Sequence, residues 1–316
     1  MRIIFLIIGI ALLFLEHFIQ PFSPQLQFVL FIAGIVLLGI PHGAADMLVA
    51  TENTADKKSF SAKSFHLNYV ARLAVFALLF WLFPVATNLL FIVIAAFHFG
   101  ETDLIRFNTT SISGKFFVTF YGILLLFVII LPHFETLIPL CALFASGKEN
   151  EALIAFIDDY RYNILLISGL IFFVITVWYM LNQGVKFDEH LKFLAEYATL
   201  LFVLYHLPMI LGFTFYFVLW HSVFSLKNIF RYLSKDGLTS PKAIAKQISF
   251  YSIISFVGFI IFGGTGFLFL GNNELIAYVF LFLAVLTAPH MQVMHNMYKN
   301  IKTLTADKPC PRHGLI

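Results

Sequence analysis

Long apolar runs, separated by short polar stretches, divide the sequence into ten segments of membrane-spanning length. They lie at about residues 3–20, 27–47, 67–84, 86–105, 115–132, 162–182, 192–208, 210–230, 247–269 and 275–298. Each is close to the roughly 20 residues that an α-helix needs to cross a bilayer, and well above the roughly ten of a barrel strand. The pattern predicts an all-α, polytopic membrane bundle of about ten (8–10) transmembrane helices in a single domain, residues 1–316.

The connections between these segments are short, with one exception. The third and fourth segments meet at "FPVATN" and the seventh and eighth at "HLPMIL", in both cases at a proline that cannot continue the preceding helix. The exception is residues 133–161, which we predict as an extracytoplasmic loop with a candidate interfacial helix at "ENEALIAFIDDY". Residues 299–316 are predicted to form a cytoplasmic tail.

Composition supports a membrane protein. Hydrophobic residues make up 60% of the chain and charged residues 12%, whereas a soluble domain carries about 25% charged residues. The mean hydropathy is +0.90. The first apolar run contains Glu16 and His17 and no small-residue cleavage site, so we interpret it as a retained helix and not as a signal peptide.

Positive charge indicates the orientation. If ten spans alternate from a cytoplasmic N-terminus, eighteen of the twenty Lys and Arg residues fall on the inner side, and only Lys148 and Arg161 fall outside. This bias predicts a multi-pass protein of the inner (plasma) membrane with both termini in the cytoplasm. Cys141 and Cys310 would lie on opposite sides and could not pair. No basic-aromatic pattern indicates nucleic-acid binding.

Four histidines lie in the middle or inner half of four different predicted spans: His42, His98, His221 and His290. A charged residue within a span costs roughly 2.5–3.5 kcal/mol and is a functional hypothesis by default. One such histidine is equally well explained by a hydrogen bond to a neighbouring helix. Four at compatible depth favour a shared metal site, for which neutral imidazoles suit Fe, Cu, Zn or Ni better than Ca or Mg.

The residues around these histidines are consistent with metal ligands. Pro41 and Pro289 each directly precede one of them, so each helix loses a backbone hydrogen bond there and can kink toward the bundle interior.

Two acids are candidates to hold the second ring nitrogen of a ligand. Asp46 follows His42 by four residues and would share its helix face if the helix continues, and Glu101 follows His98 by three. Carboxylates commonly orient metal-bound imidazoles in this way. Asp103, in contrast, is predicted only to mark the water boundary.

Four sequence segments carry a resemblance to a known family. "PHGAAD", "FHFGETD", "LPMILGFTFYFVLWHS" and "APHMQVM" are similar, in the same order, to segments of the Brp/Blh family of multispan membrane beta-carotene dioxygenases. The resemblance implies that O2 cleaves the central double bond of beta-carotene into two molecules of retinal at an Fe(II) ion. It implies His42, His98 and His221 among the iron ligands, and a rhodopsin as a candidate acceptor of the retinal.

One position departs from that family. Its helix motif resembles W-H-S-x-R-H, with a second histidine four residues after the first, whereas "WHSVFSL" places Phe224 and Ser225 at the Arg and His positions. Three interpretations stay open. Either His290 or His295 completes the ligand set, or three histidines suffice, or this chain has lost or changed its activity.

The substrate of such an enzyme dissolves in the bilayer, so entry between helices is more plausible than entry from water. We predict that Tyr216, Phe217 and Trp220, which lie close to His221 in the sequence, contact the substrate.

Two alternatives remain. Ser225 would also suit a carotenoid- or retinal-binding homologue that is non-catalytic or acts on another substrate. A metal or proton transporter is suggested by "HMQVMHNMY", which places methionines three residues apart beside two histidines, and by the intramembrane acids Glu16 and Glu196. The histidines lie on one side of the membrane, which weighs against a transport path.

Overall fold

The computed structural model describes residues 1–54, 59–144, 148–183, 187–235, 237, 240–269 and 272–306. Within these ranges the chain is helical and contains no strand. The helices are α1 (Arg2–Ile19), α2 (Pro24–Asn53), α3 (Ala62–Leu82), α4 (Pro84–Asp103), α5 (Ile112–Ile130), α6 (Phe134–Phe144), α7 (Lys148–Gln183), α8 (Phe187–His206), α9 (Met209–Leu233), α10 (Pro241–Phe269) and α11 (Asn272–Ala306).

The predicted all-α membrane bundle is confirmed. Among the described residues, eight helical segments are long and apolar enough to cross a membrane, and they involve α1 to α5, α7, α9 and α10. The predicted spans at 192–208 and 275–298 coincide with α8 and α11, which are also helical. Helix α8 carries four charged residues, and several side chains of α11 lie outside the described set.

The region predicted as a loop, residues 133–161, is helical wherever it is described. Helix α6 follows a short turn at Leu131–His133, and the candidate interfacial helix is the first part of the 36-residue α7. No glycine or proline interrupts residues 149–168, so nothing ends the helix there. The predicted tail continues α11 as far as Ala306, and its last ten residues, with Cys310, lie outside the described residues.

Local sequence signals explain where several helices begin. The hydroxyl oxygens of Ser23, Ser61 and Ser111 each accept a hydrogen bond from the backbone N–H three residues later, at 3.1–3.3 Å. This satisfies one of the free amides of a helix start. Pro84 opens α4 directly after Phe83, where proline needs no backbone donor.

Helices α4 and α5 form one of the most extensive helix pairs. Their backbones meet at glycines: a Cβ atom added to Gly122 would overlap the carbonyl oxygen of Ala96, and one added to Gly100 would overlap the carbonyl oxygen of Val118. Small residues at such a crossing permit the close approach typical of membrane helices. This pair holds the end of α4, with His98, in a fixed position.

Three helices contain π-helical segments, in which backbone hydrogen bonds skip one extra residue. In α1 the segment is Leu15–Ile19, at the end of the helix. In α2 the segment is Ile35–Gly39, directly before Pro41, whose ring cannot fit a regular turn. In α9 it is Phe215–Ser222, where the Ser222 hydroxyl donates to the carbonyl of Phe217 at 2.8 Å, five residues back. Such segments are frequent at functional sites.

Helix α10 covers one side of the bundle. It packs against the middle of α2, at Ile40–Ala44, while Ile253, Val257 and Ile261 on α10 are more than half exposed. Apolar side chains exposed in this way are expected to face lipid in a membrane-spanning helix.

Candidate metal centre

The four histidines from separate helices meet in the interior of the bundle. The ring centroids of His42 and His290 are 4.9 Å apart, those of His98 and His221 5.0 Å, those of His98 and His290 5.3 Å, and those of His42 and His221 5.5 Å. Each histidine is at most 4% exposed. The sequence prediction that these four would come together therefore agrees with their position.

Several nitrogens of this four-histidine cluster lack protein partners. Both ring nitrogens of His98 and of His221, and Nε2 of His290, are buried without a hydrogen bond to the described residues. Buried polar atoms are usually hydrogen-bonded because an unpaired one costs free energy. Neutral imidazole nitrogens gathered in an apolar interior are the type of donor that a transition metal would satisfy.

The four rings are not oriented so that their nitrogens form a coordination sphere. The four neighbouring ring pairs pack edge to face, with interplanar angles of 72–85°. Within the described residues, no three His, Cys, Asp or Glu side chains converge closely enough to hold one ion. The side chains thus fit a metal by type, burial and proximity, and rotation of the imidazoles would be needed to aim their nitrogens at a common point.

Asp46 holds one of these rings, although not the predicted one. Its Oδ1 lies 2.7 Å from Nδ1 of His290, and its Oδ2 accepts a hydrogen bond from the Tyr69 hydroxyl at 2.9 Å. The prediction paired Asp46 with His42 on one continuous helix face. The regular helix is interrupted at Ala45, between Ile40–Ala44 and Asp46–Asn53, so the phase changes and the carboxylate faces α11.

Glu101 also bonds a histidine other than the predicted one. Its carboxylate oxygens lie 2.9 and 3.0 Å from Nδ1 of His295, not against His98. The His295 side chain is 42% exposed and its ring contacts Phe97. Because five residues separate it from His290, it points roughly 140° away around α11. His295, predicted as an alternative ligand, lies outside the four-histidine cluster.

Asp103, predicted only to mark the water boundary, is buried inside the protein. It is 1% exposed, and its Oδ2 accepts hydrogen bonds from Tyr121 (2.8 Å), Tyr216 (3.1 Å) and Trp220 (3.1 Å). Tyr216 and Trp220, predicted as substrate contacts, therefore face this carboxylate. Spacing alone did not reveal it, because the π-helical segment changes which side chains of α9 share a face.

A cavity of about 540 Å³ lies against the four-histidine cluster. All four histidines line it together with Asp46 and Tyr69, and most of the remaining wall is apolar. The apolar lining includes Ile35, Phe99, Phe217, Phe259, Leu283 and Leu286. Among the predicted substrate contacts, Phe217 is in the right place. Phe99 and Tyr69 were not predicted, because neither shows a recognisable spacing to a histidine.

One wall of the cavity is open to the outside of the bundle. Ile254, Ser255 and Gly258 of α10 line the cavity and are also exposed. A Cβ atom added to Gly258, or to Gly43 beside His42, would meet nothing within 4 Å. The cavity therefore has a lateral opening along α10, which is an apolar helix.

The features that suggested transport are engaged in packing and pairing. Met294 and Met297 are fully buried in an apolar cluster between α2, α9, α10 and α11. The Glu16 carboxylate accepts the backbone N–H of Phe22 at 2.7 Å, and Glu196 forms ion pairs with two arginines. Methionine in such a setting fills space between helices.

Comparison with known proteins decides the family. A family model described as beta-carotene 15,15'-dioxygenase matches residues 33–298, more than four fifths of the chain. The chain belongs to the beta-carotene 15,15'-dioxygenase family. A beta-carotene 15,15'-dioxygenase from an uncultured marine bacterium, 66A03, is 24% identical over 275 residues, which cover 85% of this chain and 93% of the relative. No solved structure matches.

Membership of the beta-carotene 15,15'-dioxygenase family associates the four-histidine cluster with carotenoid cleavage. The matched region contains all four clustered histidines and all the residues that line the cavity. Carotenoid cleavage is the activity at the level of the family.

Replacement of Ser225 by histidine, which would restore the family pattern, is expected to lower stability without raising activity. Ser225 is completely buried and does not line the cavity. A larger ring there would overpack the interface, at a cost of roughly 1–3 kcal/mol. Thermal denaturation of the detergent-solubilised protein, with a parallel assay of carotenoid cleavage, tests this. A gain in cleavage would show that position 225 reaches the cluster after all.

The Asp46→Asn variant is expected to weaken metal binding while the protein still folds. The amide keeps the size of the side chain but removes the charge that orients His290, and the loss of such a partner typically costs about 10–100-fold in metal affinity or activity. Metal content per purified chain is the measurement. Asp188→Asn, at an exposed position of α8, is the matched control. Equal metal content in both variants would contradict a role for Asp46.

Proposed function

We propose that this chain is a membrane oxygenase that cleaves the central double bond of beta-carotene with O2 to give two molecules of retinal. In this proposal Fe(II) is held by His42, His98, His221 and His290. Family membership supports the substrate class. The observation that carries the site is the meeting of four buried histidines, several with unpartnered nitrogens, at the wall of a mostly apolar cavity.

The donor set is compatible with iron, and the reaction calls for a redox-active metal. Cleavage breaks one carbon–carbon double bond and forms two carbonyl groups, so both oxygen atoms of O2 are consumed and no other reductant is required. Bound iron would supply the activation of O2, which a closed-shell polyene does not achieve unaided. Imidazoles in a site with open positions suit such a metal.

The residues of the chain have separate tasks around the reacting bond. The clustered histidines hold the metal, and Asp46, itself bonded by Tyr69, orients the ring of His290. Phe99 and Phe217 place aromatic surface beside His221, with ring centroids 4.7 and 5.9 Å from its ring. This apolar wall would bind the polyene and exclude water, and the extent of the cavity on either side of the histidines would select the double bond that reacts.

The lateral opening along α10 suits a substrate dissolved in the bilayer. The distribution of Lys and Arg supports the inner (plasma) membrane with both termini in the cytoplasm. A retinal-binding rhodopsin in the same membrane would be a suitable acceptor of the product.

Expression in cells that accumulate beta-carotene tests the proposal. Extracts are assayed for retinal, and the purified protein for iron. The unmodified chain should form retinal, and His221→Ala should form none. His206→Ala is the matched control, because His206 lies at the end of α8, hydrogen-bonded only to the backbone carbonyl of Phe202 among the described residues. Retinal formation by His221→Ala would remove His221 from the site.

A second candidate function is carotenoid or retinal binding without cleavage. It is favoured by Ser225, which stands where the family motif has a histidine. In that case the purified chain would carry bound carotenoid, and the cells would contain no retinal.

A further inference from the structure

Asp103 connects two of the helices that carry clustered histidines. It is the last residue of α4, five residues after His98, and two of its three hydrogen-bond donors, Tyr216 and Trp220, lie on the π-helical segment of α9. The third donor is the Tyr121 hydroxyl on α5. One carboxylate oxygen therefore joins three helices in the core.

The two donors from α9 both precede His221 within the π-helical segment. Trp220 directly precedes His221, and Tyr216 lies four residues before Trp220, so both can face Asp103 from one side of the helix. His221 then faces the cavity and the other histidines. Because the two bonds fix one face of the segment, they also fix the rotation of α9 at His221.

This arrangement costs free energy. A buried carboxylate is expensive in a membrane protein, and its second oxygen, Oδ1, has no hydrogen-bond partner in the described part of the chain. Arg2 partly offsets the cost, because it donates to the backbone carbonyl of Asp103 and its guanidinium lies 5.9 Å from the Trp220 ring. Three donors converge on one oxygen of Asp103, so a single side chain restrains all three.

We infer that Asp103 is a positioning residue that holds Tyr216 and Trp220 and thereby aims His221 at the other three histidines. It touches neither the cavity nor the clustered rings, and it acts only through α9. The inference rests on the proposed function as far as the metal is concerned. The orientation of His221 relative to His42 is a property of the protein alone and can be measured without metal.

The first experiment measures that orientation by cross-linking. His42→Cys and His221→Cys are introduced into a full-length chain with Cys141→Ser and Cys310→Ser, and the membranes are treated with a short bis-thiol reagent. The pair should cross-link, since the native rings are in contact. Adding Asp103→Leu should reduce the yield to that of a distant pair, His42→Cys with His206→Cys, whereas Asp103→Asn, which keeps an acceptor oxygen, should retain most of it.

The second experiment measures iron. Metal-free, purified full-length protein is titrated with Fe(II), without substrate. Asp103→Leu is expected to bind it about 10–100-fold more weakly than the unmodified chain, the range found when the support of a ligand is lost. Asp103→Asn should recover most of the affinity. If Asp103→Leu does not fold, Tyr216→Phe combined with Trp220→Phe removes two donors and gives the same comparison.

The outcomes separate the two proposals. Unchanged cross-linking and iron affinity in a folded Asp103→Leu protein, even one with a lower Tm, would make Asp103 merely structural and overturn the inference. Absence of the cross-link in the parent pair would overturn it as well. If the unmodified chain binds no iron and forms no retinal, the proposed function fails, while the cross-linking result still decides the role of Asp103.

Discussion

Replacing His98 by alanine is expected to abolish retinal formation and to remove most of the bound iron. His98 is 2% exposed, contacts the rings of His221 and His290, and has no hydrogen bond from either ring nitrogen to the described residues. It therefore has no evident structural bond to lose. Because it would be a ligand and not a supporting residue, its removal should cost more than the roughly 10–100-fold typical of supporting residues.

The measurement combines retinal yield in beta-carotene-accumulating cells with the iron content of the purified protein. His17→Ala is the matched control, since His17 is exposed on α1 and does not line the cavity. Elution of His98→Ala as a monodisperse peak would show that the protein is folded. Normal iron content with no retinal would assign His98 to the chemistry but not to the metal. Normal retinal would remove it from the site.

Replacing Gly122 by valine is expected to prevent correct folding. The α4–α5 crossing has no space for a side chain there, because even a Cβ atom would overlap the backbone carbonyl of Ala96. A backbone group cannot rotate away as a side chain can, so the cost should exceed the roughly 1–3 kcal/mol of ordinary overpacking. The shift would also move His98, which lies two residues after Ala96 on α4.

Thermal denaturation and the monodisperse yield of detergent-solubilised protein measure this effect. Gly169→Val is the matched control, because a Cβ atom at that position of α7 would meet nothing within 4 Å. Its stability should change little or improve slightly, since valine is somewhat more favourable than glycine within a helix. Equal stability of the two variants would mean that α4 and α5 do not approach each other as closely as described.

The fold was largely predictable because the length of an apolar run determines whether a helix can span a bilayer. Residues 133–161 were predicted as a loop with a candidate interfacial helix because hydropathy falls there, and they are helical wherever they are described. Low hydropathy affects where a helix can reside but does not end it, and α7 continues through its acidic residues without a glycine or proline until Gly169. Hairpins at Pro84 and Pro208 were correctly located, since proline ends a helix for local steric reasons.

The site was predictable in its histidines but not in their partners. Depth within a span follows from sequence position, so the four clustered histidines could be found together. Partner choice depends on the rotation of each helix about its axis. The interruption at Ala45 and the π-helical segment of α9 both alter that rotation, which is why Asp46 bonds His290 and why Trp220 faces Asp103.

The lateral opening at Ile254, Ser255 and Gly258 affects how the rate of the enzyme should be described. A polyene that enters through this opening is drawn from the lipid, so its relevant concentration is its mole fraction in the bilayer and not its amount per volume of solution. Added carotenoid-free lipid should then slow the reaction even when total protein and total substrate are constant. In the cell, turnover would respond to how heavily the surrounding membrane is loaded with pigment.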